Sequence, residues 1–304
     1  MQAMIESANL SKDYQGHLAL DQVDFHVYPG DIYGLIGRNG AGKTTLMKII
    51  NRQIHHQGKL FIQGKELSAK DSHSLRIGSL IEAPGFYPNL SAYENLNLKC
   101  ILYGIRRPGY IEELLSLVQL SQAGKKKAKN FSLGMKQRLG LALALVGDPD
   151  ILLLDEPTNG MDPQGIVDFR QIIQRLNIEK DITVIVSSHI LGELAKLVNR
   201  IGIIDQGRLI KEASMEQLKI ENQDHITITG NHLSQVVAHL EEHFNLKNYT
   251  MVTPTELHIF EYMNQAPMLA HQLIRSAILF DSFTVDQASL EDYFMKMTGG
   301  QDHA

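Results

Sequence analysis

Apolar positions in the first two thirds of the chain fall into short unbroken runs separated by longer stretches of helical period. DIYGLIG (31–37), DILLLDE (150–156), ITVIVSSH (182–189) and RIGIID (200–205) are apolar at nearly every central position. That is the mark of strands buried on both faces of a parallel or mixed sheet. KLFIQG (59–64) is a further candidate strand. Among the intervening segments, SAYENLNLKCILYGI (91–105) opens with Ser91 and Glu94 at capping-box spacing. DPQGIVDFRQIIQRLNIEK (162–180) lines Ile166, Val167, Phe169, Ile172, Ile173 and Leu176 along a helix. The alternation predicts an α/β architecture. After residue 212 the units shorten to HITITG, a helix with Leu233, Val236, Val237, Leu240 and Phe244 on one face, strands around YTMVT and ELHIFEY, helix APMLAHQLIRSAI and strand LFDSFTV. This β-α-β-β-α-β order is that of a ferredoxin-like unit, with a last helix from Leu290 to Met297.

Composition sharpens that division. The 304 residues correspond to about two domains, and 43% hydrophobic with 21% charged residues is the balance of an ordinary globular chain. Net charge is 29 − 34 = −5, but residues 1–212 hold 25 basic and 22 acidic side chains (+3), and residues 213–304 hold 4 and 12 (−8). Glycine splits 21 to 3 at the same place, so a domain boundary is expected there. The longest strongly apolar stretch, LGLALALVG (139–147), is closed by Arg138 and Asp148 and is far short of the roughly 20 residues that span a bilayer. The opening MQAMIESANL has neither a basic front nor an apolar core, so no secretory signal is expected and the chain is placed in the cytoplasm. Cys100, the lone cysteine, fits a core position in a reducing compartment.

The glycines of the first part include a motif. Gly37, Asn39, Gly40, Gly42, Lys43, Thr44 and Thr45 belong to a G-x-x-x-x-G-K-[ST] loop placed after an apolar strand and before the helical run TLMKII. Glycines let backbone N–H groups converge on phosphate, the helix N-terminus adds partial positive charge, and Lys43 neutralises β- and γ-phosphates. Thr44 offers a hydroxyl to Mg²⁺. The alternative is a chance glycine loop. Downstream, ILLLDEPTNGMD sets Asp155 and Glu156 at the C-terminal end of a buried strand, where open α/β sheets bind ligands. Asp155 is a candidate to hold Mg²⁺ through water, and Glu156 to polarise the water that attacks the γ-phosphate. A surface turn after a strand is the plainer reading of the same residues.

In this order the motifs resemble the nucleotide-binding subunit of ATP-binding cassette (ABC) transporters over about residues 1–212. The resemblance implies a P-loop NTPase cassette, with a mixed-sheet core and a helical subdomain at about 84–148, followed by a small α+β accessory domain at 213–304. It implies that Tyr14, in SKDYQG, stacks on adenine, the alternative being a buried strand tyrosine. FSLGMKQRLGLALAL (131–145) matches the family signature, with Ser132 and Gly134 at a second phosphate-binding helix start that contacts the ATP held by a partner subunit. Asp162, closing NGMD, corresponds to the loop that communicates between the two sites, and His189 to the histidine that contacts the γ-phosphate. ATP and Mg²⁺ are the implied cofactors. A homodimer formed on ATP binding and separate membrane-embedded permease subunits are the implied partners, with the chain peripheral on the inner face of a bacterial membrane.

Two departures are informative. Phe131, Leu133 and Met135 replace residues of the usual L-S-G-G-Q signature, while Ser132 and Gly134 remain. Glu82, in SLIEAP, stands where most members carry glutamine; a carboxylate still suits Mg²⁺ but cannot donate as an amide does. With the accessory domain, these features are similar to the branch that protects against bacitracin and lantibiotics by exporting cell-envelope-active peptides, the cargo being met by the permease. An exporter of ions, lipids or small drugs, and a soluble ABC protein acting on ribosomes or DNA, are the competing functions; the single uninterrupted cassette disfavours the second. Three further features read as structural. Lys125, Lys126, Lys127 and Lys129 lack interleaved aromatics, so no nucleic-acid partner is expected. His239 and His243 have metal-ligand spacing without supporting ligands. Phe86, Tyr87, Leu90 and Tyr93, around a proline turn, are either subdomain core or, by the resemblance, a surface toward the membrane subunit.

Overall fold

The computed structural model describes residues 2–67, 76–288 and 290–298. The chain divides into two compact units, Met1–Met215 and Glu216–Ala304. Within the first unit the strand Arg208–Ser214 pairs antiparallel with Arg200–Asp205 as far as Ser214 opposite Arg200. The final residues of the accessory segment, 299–304, lie outside those described.

The central sheet of the first unit has six strands among the described residues. Its order is Arg208–Ser214, Arg200–Asp205, Ile32–Ile36, Thr183–Ser188, Ile151–Leu154 and Ile77–Leu80. All neighbours are parallel except the first pair. Ile32–Ile36, Ile151–Leu154 and Thr183–Ser188 are buried at every position, as their unbroken apolar runs predict. A second, antiparallel sheet is built on the hairpin Ile5–Tyr14 and His17–Val23 and includes Gln57–Ile62. KLFIQG is therefore a strand of this sheet and not of the parallel one. Helix Lys43–Ile50 belongs to the core between them: Leu46, Met47, Ile49 and Ile50 cluster with Ile5, Leu10 and Leu60 of one sheet and Leu35, Leu153 and Ile185 of the other. Each such side chain removed from water contributes about 1.5–3 kcal/mol.

Helices Ala92–Leu102, Tyr110–Leu117 and Leu133–Ala144 pack together as a subdomain. The first starts at the capping box expected from its sequence: Glu94 N–H donates to Ser91 Oγ and Ser91 N–H donates to Glu94 Oε2.

In the second unit the elements run strand His225–Thr229, helix Leu233–Phe244, strands Tyr249–Thr253 and Glu256–Ile259, helix Ala266–Arg275 and strand Ser282–Asp286. The strand order, third-last position first, is Tyr249–Thr253, Glu256–Ile259, His225–Thr229, Ser282–Asp286, all antiparallel. This is the split β-α-β arrangement. Ile226, Ile228, Leu257 and Ile259 meet Leu233, Val236, Leu240, Leu269 and Leu273 in a separate core. His239 and His243 stack at 4.1 Å between centroids, and His243 Nδ1 lies 3.0 Å from His239 O. Among the described residues no group of three or more His, Cys, Asp or Glu is arranged to hold a metal. No helix there is long and apolar enough to cross a membrane.

Candidate nucleotide site

The phosphate loop connects strand Ile32–Ile36 to helix Lys43–Ile50. Gly42, at the N-cap, has φ 112° and no side chain caps the helix. Its first N–H groups are thereby left to a ligand. A Cβ at Gly37 would lie 2.3 Å from Ile204 O, so only glycine lets the loop pass that strand. Lys43 is 5% exposed; its Nζ donates to Gly37 O at 2.7 Å and to Arg38 O at 3.2 Å, and lies 3.2 Å from Glu156 Oε1. Two of the ammonium's three N–H donors are thus taken by backbone carbonyls, and Glu156 faces it as an ion pair.

Around the lysine the acids form a connected network. Thr44 Oγ1 donates to Asp155 Oδ2 at 2.7 Å, and Ser187 Oγ donates to Asp155 Oδ1 at 2.6 Å. Ser187 Oγ also accepts the backbone N–H of Glu156 at 2.9 Å. Glu156 has φ 47°, an uncommon left-handed conformation for a non-glycine residue. Its Oε2 lies 2.8 Å from His189 Nδ1, so the carboxylate is held between Lys43 and His189. Its Oε1 is buried with no hydrogen-bond partner, only the Lys43 ammonium as an ion-pair neighbour, and backbone strain of this kind clusters at functional sites. The strands explain the convergence: Ile151–Leu154 and Thr183–Ser188 are adjacent and parallel, so Asp155, Glu156 and His189 leave the same sheet edge beside the loop.

The mouth of this network is a cavity of 320 Å³ lined by Tyr14, His17, Ala19, Asn39, Gly40, Lys43, Thr44, Thr45 and Glu156, among others. Tyr14 ends strand Ile5–Tyr14 and is 43% exposed, which removes the buried-tyrosine alternative. Lys12 Nζ sits 4.9 Å from its ring centroid. Ser132 and Gly134 stand at the start of helix Leu133–Ala144, with Met135 N–H donating to Ser132 Oγ at 3.3 Å. A Cβ at Gly134 would meet nothing within 4 Å. Asp162 is the N-cap of Pro163–Lys180 and its side chain makes no cap bond. None of these three lines the cavity. Glu82 is not joined to Thr44 or Asp155 by a hydrogen bond; its carboxylate is paired with Lys48.

Ser187, His17 and Ala19 are site residues that sequence reasoning missed. For Ser187 a signal existed, since a serine inside a buried apolar strand must find a partner, but the strand does not say which. The cofactor question turns on Thr44 and Asp155, a hydroxyl and a buried carboxylate in contact. This hard-oxygen pair fits a magnesium ion.

Residues 20–159 match the ABC transporter family, and full-length relatives agree. The chain belongs to the ABC transporter family, as an ATP-binding, ATP-hydrolysing subunit. It is 39% identical over 302 residues to the bacitracin transport ATP-binding protein BcrA of Bacillus licheniformis, covering 99% of each chain. It is 43% identical over 210 residues to the lantibiotic transport ATP-binding protein SrtF of Streptococcus pyogenes, covering 69% of this chain and 90% of that relative. Among solved structures, the dimeric structure of MJ0796, a bacterial ABC transporter cassette, matches with a TM-score of 0.63 and 26% identity over 70% of this chain and 99% of that one.

Proposed function

We propose that the chain drives export of a cell-envelope-active peptide, of bacitracin or lantibiotic type, through separate membrane-embedded permease subunits. Two copies close on ATP, and hydrolysis reopens them. The observation that carries the reading is Glu156, held by Lys43 at 3.2 Å and His189 at 2.8 Å at the mouth of the phosphate loop. The names of the BcrA and SrtF relatives support the cargo class, and the MJ0796 dimer supports the pairing of cassettes. The cassette is assigned to 1–212 and the accessory domain to 213–304. On this reading the chain lies on the inner face of the membrane.

In this scheme the loop N–H groups from Gly40 to Thr45 receive the phosphates, and Tyr14 stacks on adenine beside His17 and Ala19. Phosphate oxygens take the place of Glu156 on Lys43, which frees the carboxylate to accept a proton from the attacking water. His189 then orients Glu156 and contacts the γ-phosphate. Thr44 and Asp155, with Glu82 as a further carboxylate, would hold Mg²⁺, which when bound neutralises charge on the phosphates. Ser132 and Gly134 of each copy address the nucleotide of the other, and Asp162 links the two sites. ATP favours the closed pair only through contacts present in that state.

Glu156→Gln should retain ATP binding, slow turnover by about 10²–10⁴ and accumulate a dimer in ATP on size exclusion. A monomeric variant hydrolysing at the wild-type rate would sink both the base assignment and the dimer. A deletion strain as resistant to the peptide as its parent would remove the cargo.

A further inference from the structure

The hairpin that carries Tyr14 fixes its backbone closely and its ring hardly at all. Tyr14 lies opposite His17 across a two-residue connection in which Gln15 has φ 53° and Gly16 φ 92°, the left-handed values that a twisted two-residue hairpin requires at both positions. The Asp13 carboxylate accepts the Gly16 N–H at 2.7 Å and pins that turn. Above this frame the Tyr14 side chain stands 43% exposed, so packing does not decide how the ring lies.

A cation does reach it. Lys12, two residues earlier on the same strand and half-buried, places its Nζ 4.9 Å from the Tyr14 ring centroid. An ammonium within about 6 Å of a ring centroid is attracted to the ring face. Among the described residues this ammonium pairs with no carboxylate, the neighbouring Asp13 being turned to Gly16. The register of the strand pair shifts on both sides of Lys12, between Leu10 and Lys12 and between Lys12 and Asp13, and irregularities of this kind re-aim side chains beside functional sites. Tyr14 and Lys43 both line the cavity of 320 Å³, whereas Lys12 does not. Its charge is therefore spent on the ring and not on the space where phosphates would sit.

We propose that Lys12 is a positioning residue: its ammonium holds the Tyr14 ring from the side turned away from the cavity, so that the opposite face is set for the base of ATP. The inference rests on the adenine-stacking reading of Tyr14. Lys12 touches neither base nor phosphate and acts through the ring. Fixing an exposed side chain before the ligand arrives lessens the ordering cost of binding.

The test compares two ligands on the full chain with magnesium present, ATP and inorganic tripolyphosphate, which has the phosphates and no base. Wild type should bind ATP more tightly than tripolyphosphate. Lys12→Gln should weaken ATP by about two- to fivefold, the range that an exposed contact of this kind carries, and leave tripolyphosphate unchanged, which also shows the variant to be folded. Lys12→Arg should restore ATP affinity, because a guanidinium also lies well on an aromatic face. In a Tyr14→Ala background Lys12→Gln should change nothing more. Lys12→Gln that weakens both ligands alike, that keeps wild-type ATP affinity, or that weakens ATP further without the tyrosine overturns the proposal. Tyr14→Ala with wild-type ATP affinity overturns the stacking reading instead, and a wild-type chain that binds neither ligand overturns the nucleotide site.

Discussion

The hydroxyl of Ser187 holds two acids at once, donating to Asp155 and accepting the N–H of Glu156. Ser187 is fully buried, so Ser187→Ala leaves a carboxylate oxygen and a backbone N–H short of a partner. An unsatisfied buried group costs about 1–3 kcal/mol, which denaturant unfolding should register as a lower midpoint. Turnover should fall more than ATP affinity, because the phosphate loop is untouched while Glu156 loses its anchor. Single residues were unequally legible in the sequence. The phosphate loop announces itself because its glycines, lysine and threonine are contiguous and their spacing is dictated by one ligand. The Lys48–Glu82 pair is not legible: the two are 34 residues apart, with strands Gln57–Ile62, Lys65–Glu66 and Ile77–Leu80 between them, and only the tertiary fold makes them neighbours.

Helix Ala92–Leu102 shows what an element can declare in advance. Its capping box was readable from Ser91 and Glu94 because both partners lie within one turn. Ser91→Ala should cost about 1 kcal/mol, measurable as a lower unfolding midpoint. The hydrogen bond from the Ser91 backbone holds the Glu94 carboxyl below the usual carboxylate range, with the Ser91 side chain adding to it. A lowered folded-state value means the stabilisation is present at neutral pH and is lost as pH falls through that value. The stability gap between wild type and Glu94→Gln should therefore narrow in acid, as paired melts at neutral and acidic pH would show. The hairpin Ile5–Tyr14 and His17–Val23 was less readable. Its burial alternates irregularly and its register shifts between Leu10 and Lys12 and between Lys12 and Asp13, which blurs the period of two that marks a half-buried strand. KLFIQG was recognisable as a strand, but the choice of sheet depends on Ile5–Ala8, far away in sequence.

At the scale of the molecule, each unit has its own core, one around Leu35, Leu46 and Leu153, the other around Ile226, Leu257 and Leu269. ATP at about 100 times its dissociation constant stabilises what it binds by about 2.7 kcal/mol. Hydrogen exchange should slow in Lys43–Ile50 and Ile151–Leu154 and stay unchanged in His225–Thr229 and Glu256–Ile259; equal slowing in both units would show that they respond as one. Most of the glycines lie in residues 1–212, where the phosphate loop uses tight backbone turns. Those glycines also differ in what forbids their replacement. A side chain at Gly37 collides with the strand beside it, whereas one at Gly134 enters open space and, on a helix, would lessen the entropy lost on folding. A search for sturdier variants guided by melting temperature would keep Gly37 and discard Gly134. If Gly134 serves a nucleotide carried by another copy, that search would select a hardier protein that had lost its work, and only a screen on turnover would reveal the exchange.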